Sequence, residues 1–157
     1  MTTESIASIV KLGVDQIPLN NSPIRSSWVI DGNPVTRNRV LSTSADGTAT
    51  TFIWDCTAGR FNWFYDVDET IYVIEGGVVV RDWGGKARRL SAGDTIFFPA
   101  GARAEWHVEN YIRKIAFCRS PLPRPLVMAK RGMRYFKSLV LRKRGDESGV
   151  PAMFQSS

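Results

Sequence analysis

Residues 59–76 read GRFNWFYDVDETIYVIEG, and residues 93–106 read GDTIFFPAGARAEW. Each stretch places a run of β-forming residues between glycine-containing turns. In the first stretch, Glu69 lies on the predicted strand and Gly76 follows it after six intervening residues, which predicts a tight hairpin at the glycine. In the second stretch, a short apolar strand ends at a Pro-Ala-Gly turn. A β-barrel can bury such a strand.

The same pattern extends on both sides of these stretches, from Trp28 to Arg119. Eight or nine short runs alternate with turn residues, and no helical pattern interrupts them. This regular spacing predicts an all-β sandwich or barrel. The runs are SSWVI, NRVLSTS, ATTFIWD, TIYVIEG, GVVVRDW, ARRLSAG, DTIFFPAG, AEWHVEN and IRKIAFCR.

The chain of 157 residues has room for one domain, and its 43% hydrophobic and 23% charged residues are typical of a soluble globular protein. We expect an N-terminal arm at 1–24, a barrel at 25–120 and a basic, partly helical or disordered tail at 121–157. No run approaches the ~20 apolar residues that cross a bilayer. The two cysteines, Cys56 and Cys118, have no metal-binding spacing. These features predict a reduced, cytoplasmic protein.

The positive charge is concentrated in the predicted tail. The net charge is +6, and residues 121–145 hold eight Lys and Arg with no acid, so the remainder carries about −2. The segment 124–144 can contact an anionic membrane surface or a protein partner, or it can be a solvated tail. No aromatic platform accompanies it, which makes nucleic acid an unlikely partner. An amphipathic helix is predicted from the spacing of Leu126, Ala129, Met133, Phe136 and Val140.

The two opening stretches resemble the two motifs of the cupin superfamily. The glycine turns and Glu69 match, so the resemblance implies a cupin (RmlC-like) jelly-roll barrel, also called a double-stranded β-helix. The metal-binding histidines of those motifs do not match, and we therefore expect neither a metal ion nor another cofactor. The histidine positions hold Asn62 and Phe64, or Trp63 and Tyr65 in the shorter spacing, and Ala104.

A narrower resemblance covers residues 50–119. FNWFYDVDETIYVIEGGVVV, GDTIFFPAG and EWHVENYIRK are similar to small single-domain cupins grouped with the cupin domain of (S)-ureidoglycine aminohydrolase. That resemblance implies hydrolysis of a C–N bond with manganese, although the metal ligands are missing at the motif positions. It also implies a homodimer.

Glu69 is the candidate catalytic residue. A buried carboxylate can act as an acid or base or bind a substrate amine, and it can equally be a structural group paired with Lys114 or a tyrosine. His107 is the only histidine, but strand alternation from Ala104 directs Trp106 into the barrel and His107 out of it. His107 is therefore not expected to be a metal ligand.

The candidate ligand-binding residues are Trp63, Tyr65, Glu69, Trp106 and Lys114. The aromatic residues either line a cavity or fill the space of a lost metal site. These features predict a metal-independent cupin that binds a small polar metabolite. The alternatives are a metal-dependent, aminohydrolase-like enzyme acting on a ureide C–N bond and a non-catalytic interaction module that uses the basic tail.

Overall fold

The computed structural model describes residues 9–121, together with Met133. The segment 9–121 contains eight strands and one 3₁₀ turn at Ser26–Trp28, so the predicted all-β class is confirmed. The predicted helix over 126–140 lies outside the described residues apart from Met133. No helix among the described residues is long and apolar enough to span a membrane. The strands are β1 (Asn20–Asn21), β2 (Val29–Gly32), β3 (Thr36–Thr43), β4 (Ala49–Phe64), β5 (Asp68–Asp82), β6 (Ala87–Ser91), β7 (Thr95–Phe98) and β8 (Arg103–Arg119).

All strand pairs are antiparallel. The order along the sheet is β1-β3-β4-β8-β5-β6, with β2 pairing with β4 and β7 pairing with β5. The three central strands are 16, 17 and 15 residues long, in the order β4, β8 and β5. They curl together, so that one face of the sheet encloses a single core. The predicted jelly-roll barrel is confirmed.

The hairpin predicted at Gly76 is wrong, because β5 continues through this residue to Asp82. The register of β5 against β8 shifts between Gly76 and Val79, which bends the strand without reversing it. Gly76 has φ of 71°, and a Cβ atom there would collide with the backbone carbonyl of Tyr111. Glycine is therefore required for the close approach of two strands at the bend.

Alternation along the central strands builds the core. On β8, Trp106, Val108, Ile112 and Ala116 are each at most 2% exposed. The residues facing them come from β4 and β5. At the bend of each of these strands, a bulge shifts the alternation by one residue, so that apolar side chains point inward on both sides of the bend. The buried cluster consists of Trp54, Cys56, Phe61, Tyr65, Ile71, Val73, Val78, Val80, Leu90, Phe98, Ala104, Trp106, Val108, Ile112 and Ala116.

The described part of the N-terminal arm runs along the outside of the barrel. Its short strand β1 pairs with β3, and the backbone N–H of Ser22 donates to the carbonyl of Thr36 at 2.9 Å. Nearer the N-terminus, the carbonyl of Val14 accepts a hydrogen bond from the guanidinium of Arg113. These contacts lead the chain to the 3₁₀ turn and place Arg25 and Trp28 beside one end of the barrel.

Candidate functional site

A pocket of about 740 Å³ opens at the end of the barrel where β4 ends and β8 begins. This volume is within the range of small-molecule sites, which is roughly 300–1,000 Å³. The wall is mainly apolar and includes five aromatic residues, and four of the lining residues are charged. The lining residues are Ser22, Pro23, Ile24, Arg25, Trp28, Phe52, Trp63, Phe64, Tyr65, Asp66, Val67, Glu69, Gly101, Ala102, Arg103 and Cys118.

The structure selects between the two alignments of the histidine positions. Trp63 faces the pocket and lies opposite Ala104 in the β4–β8 pairing, and Tyr65 is 3% exposed at the end of β4. Asn62 alternates away from the interior. The shorter spacing is therefore the one in which both positions point inward. His107 is exposed on the outer face, as strand alternation predicted.

An ion pair forms the floor of the pocket. The ammonium of Lys114 lies 2.6 Å from Oε1 of Glu69, and the two residues are 4% and 5% exposed. The ammonium also lies 4.8 Å from the ring centroids of both Trp54 and Trp106. Cation–π contacts with these two rings compensate in part for the loss of water around Lys114. The pair therefore places a carboxylate in a mainly apolar pocket without leaving its charge unpaired.

Tyr65 is fixed beside this ion pair. Its hydroxyl oxygen accepts a hydrogen bond of 3.0 Å from the indole N–H of Trp106, and its ring stacks on Phe98 at 4.2 Å. The backbone of Tyr65 is bonded on both sides, since its N–H donates to the carbonyl of Ala102 and its carbonyl accepts from Gly101. Burial and the charge of Glu69 raise the pKa of Tyr65 well above its ordinary value. Tyr65 is therefore a neutral phenol at physiological pH.

Cys118 lies opposite Glu69 in the β5–β8 pairing and lines the pocket. Burial, followed by the charge of Glu69, raises the pKa of Cys118 to about 12. A thiol with this pKa is almost entirely protonated at neutral pH and is a poor nucleophile. The site thus offers a hydrogen-bond acceptor in Glu69 and no activated thiolate.

The structure brings the predicted site residues together but divides them into two layers. Trp63, Tyr65 and Glu69 line the pocket, whereas Trp106 and Lys114 lie beneath it and hold Tyr65 and Glu69 in place. Sequence reasoning missed most of the other lining residues. Four of them, two arginines and two aromatic residues, stand at no defined position of the cupin motifs, and two of the four come from the 3₁₀ region. These four residues are Arg25, Trp28, Phe52 and Arg103.

The donor set does not fit the metal centre that the cupin motifs imply. Within the described residues, no group of three or more His, Cys, Asp or Glu side chains is placed to hold a metal ion. The inward positions hold Trp63, Tyr65 and Ala104, and Glu69 is already bonded to Lys114. The chemistry available to the pocket from these residues is hydrogen bonding, charge and aromatic contact.

Comparison with known proteins supports a cupin. Residues 43–116 match the family model of the EutQ-like cupin domain. The Clostridium difficile EutQ protein shares 21% identity, with a TM-score of 0.57 over 70% of this chain and 86% of that one. A cupin-like protein from Thermotoga maritima shares 17% identity, with a TM-score of 0.54 over 67% of this chain and 80% of that one. At these identities the two structures support the fold alone.

A further similar structure is a Pseudomonas syringae protein of unknown function from the DUF861 family. It shares 28% identity, with a TM-score of 0.61 over 66% of this chain and 45% of that one, so this chain spans less than half of its length. The search of curated proteins found no match. The barrel has the cupin fold, and its structural neighbours are EutQ-like and uncharacterised cupins. The finer grouping with (S)-ureidoglycine aminohydrolase stays a prediction.

Proposed function

We propose that this cupin binds a small polar metabolite in the pocket without a metal ion, using Glu69 as the acceptor for a hydroxyl, amide or amine group. The observation that carries the proposal is the carboxylate held at the floor of an aromatic pocket by a buried lysine. Lys114 does not line the pocket, so the face that a ligand meets is the carboxylate of Glu69. Lys114 donates a hydrogen bond to Oε1 of that carboxylate, and a carboxylate has further acceptor capacity for a ligand.

The walls complement this acceptor. Trp63, Phe64 and Phe52 offer apolar surface, and Trp28 adds to it with its ring 5.6 Å from that of Trp63. A ligand that fits has an apolar or planar body and one buried donor. Such a site gains specificity from the donor, because a ligand without it leaves the carboxylate unsatisfied.

The test is a thermal-shift screen of small amines, ureides, hydroxy compounds and organic acids, followed by calorimetry on those that stabilise the protein. We expect compounds with a donor to bind. Glu69→Gln keeps the shape of the pocket and should weaken them by about tenfold, as expected for a hydrogen bond to a charged group. Glu75→Gln is the matched control, since Glu75 lies on the same strand but is exposed. No stabilisation by any of these compounds, or equal binding by both variants, would contradict the proposal.

A further inference from the structure

Two arginines lie at the mouth of the pocket. Arg25 comes from the segment that leads into the 3₁₀ turn, and Arg103 begins β8. Each guanidinium lies over an aromatic ring, with Arg25 5.1 Å from the centroid of Trp28 and Arg103 5.4 Å from that of Phe64. The rings of Trp28 and Phe64 are themselves 5.0 Å apart. A continuous run of contacts therefore joins the two arginines along one rim.

These arginines differ from most others in the described part of the chain. Five arginines there form ion pairs with carboxylates, whereas Arg25 and Arg103 form none among the described residues. A guanidinium stacked on a ring keeps its in-plane N–H donors available, and their fork matches the two oxygens of a carboxylate. The aromatic contacts also restrain the side chains, which lowers the entropic cost of binding.

The balance of charge in the pocket favours an anion. Asp66 also lines the mouth, so the rim carries two positive charges and one negative charge. At the floor, Glu69 and Lys114 neutralise each other. With that ion pair counted, the pocket has a net charge of about +1, and this charge lies at the rim.

We infer that the ligand is an organic carboxylate with a planar body, bound with its carboxylate at Arg25 and Arg103 and its donor at Glu69. The inference rests on the proposed function, since it names the class of ligand for the same pocket. The aromatic walls receive the planar body, and the two polar ends fix its direction. A ligand bound in the opposite direction would place its carboxylate against the carboxylate of Glu69, which is unfavourable.

Three rigid probe compounds test the arginine end and the Glu69 end of the site separately. The compound 4-hydroxybenzoate has both a carboxylate and a donor, 4-hydroxybenzamide lacks the negative charge, and benzoate lacks the hydroxyl. Calorimetry or ligand-observed NMR with the full chain should give 4-hydroxybenzoate a Kd about tenfold lower than that of either partial probe. Raising the salt concentration should weaken the two carboxylates and leave the amide unchanged, because rim charges are screened.

Variants of the two rim arginines test whether these residues cause the preference for a carboxylate. Arg25→Gln and Arg103→Gln should each weaken 4-hydroxybenzoate by about tenfold and leave 4-hydroxybenzamide unaffected. Both side chains are exposed, so the fold should tolerate these changes. Arg81→Gln is the matched control, since Arg81 is an exposed arginine on β5 that does not line the pocket. Glu69→Gln should weaken 4-hydroxybenzoate and 4-hydroxybenzamide but not benzoate.

The outcomes distinguish this inference from the proposed function. Equal binding of 4-hydroxybenzoate and 4-hydroxybenzamide, or unchanged affinity in both arginine variants, overturns the inference that the ligand is a carboxylate. Weaker binding by Glu69→Gln would still support the proposed function in that case. Failure of all three probes to bind also overturns it, and the thermal-shift screen of amines, ureides and hydroxy compounds then decides the proposed function. A carboxylate preference that disappears in the arginine variants supports the inference.

Discussion

The two ends of the barrel interior are built by the same strands but differ in chemistry. One end, which we call the bent end, is where β4 and β5 bend. There Ile112 lies opposite Cys56 on β4 and Gly76 on β5, and these neighbours are small and apolar. At the open end, Cys118 lies opposite Glu69, and both residues face the pocket. Strand alternation selects which residues point inward at both ends. The identity of those residues then decides whether the space is filled or left open.

Lys114 lies between the two ends, together with Trp54 and Trp106. It is only one inward step from Ile112 on β8, yet its ammonium reaches toward the open end to meet Glu69. Both tryptophan rings lie against the ammonium of Lys114. This middle layer allows one barrel to combine a packed core with a polar pocket floor.

Removal of the lysine charge should have the largest effect on stability. Lys114→Met leaves the buried carboxylate of Glu69 without its partner, and we expect the free energy of unfolding to fall by about 3–5 kcal/mol. Urea unfolding measures the change. The double variant Glu69→Met/Lys114→Met removes both charges and should regain most of the loss. If the double variant is less stable than Lys114→Met alone, the ion pair is not the reason for the loss.

The packed end should tolerate truncation less well than the open end. Ile112→Ala creates a cavity at a fully buried position and should lower the free energy of unfolding by about 3 kcal/mol. Phe52→Ala removes a larger side chain, but Phe52 is only partly buried and borders the pocket, so a loss of about 1 kcal/mol is expected. Thermal or urea unfolding of the two variants compares the ends directly. Equal losses would show that the pocket wall is as tightly packed as the core.

Much of this architecture can be predicted from the sequence. The turn residues and the alternation of apolar residues identify the strands, and Ala104, Trp106 and His107 have the orientations that alternation predicts. The inward direction of Lys114 follows from the same alternation. The pairing of Lys114 with Glu69 was one of two alternatives in the sequence, because period-two patterns give the face of a residue but not its partner across the barrel.

The sequence failed where the structure depends on long-range register. Gly76 looks like a hairpin glycine, but it serves a close contact with β8 at a bend. One of the rim arginines, Arg25, was missed for a related reason. Arg25 lies outside the cupin motifs and reaches the pocket only because β1 pairs with β3 and directs the arm there. Local patterns carry no information on such contacts.

The two cysteines provide the last comparison of the ends, with no expected effect on stability. Burial is the main cause that raises the pKa of both thiols to about 12, but Cys56 is fully buried at the bent end and Cys118 lines the pocket. Because only the thiolate reacts, labelling of Cys118 by iodoacetamide should be slow at pH 8 and should rise about tenfold per pH unit up to pH 10. Cys56 should stay unlabelled in the folded protein over this range.

Peptide mass spectrometry distinguishes labelling of the two cysteines, and protein unfolded in urea, in which both cysteines should be labelled, is the control. A rate at Cys118 that levels off near pH 8.5, as for an ordinary thiol, would contradict the burial of this group. Equal labelling of both cysteines would instead show that the bent end opens as readily as the pocket.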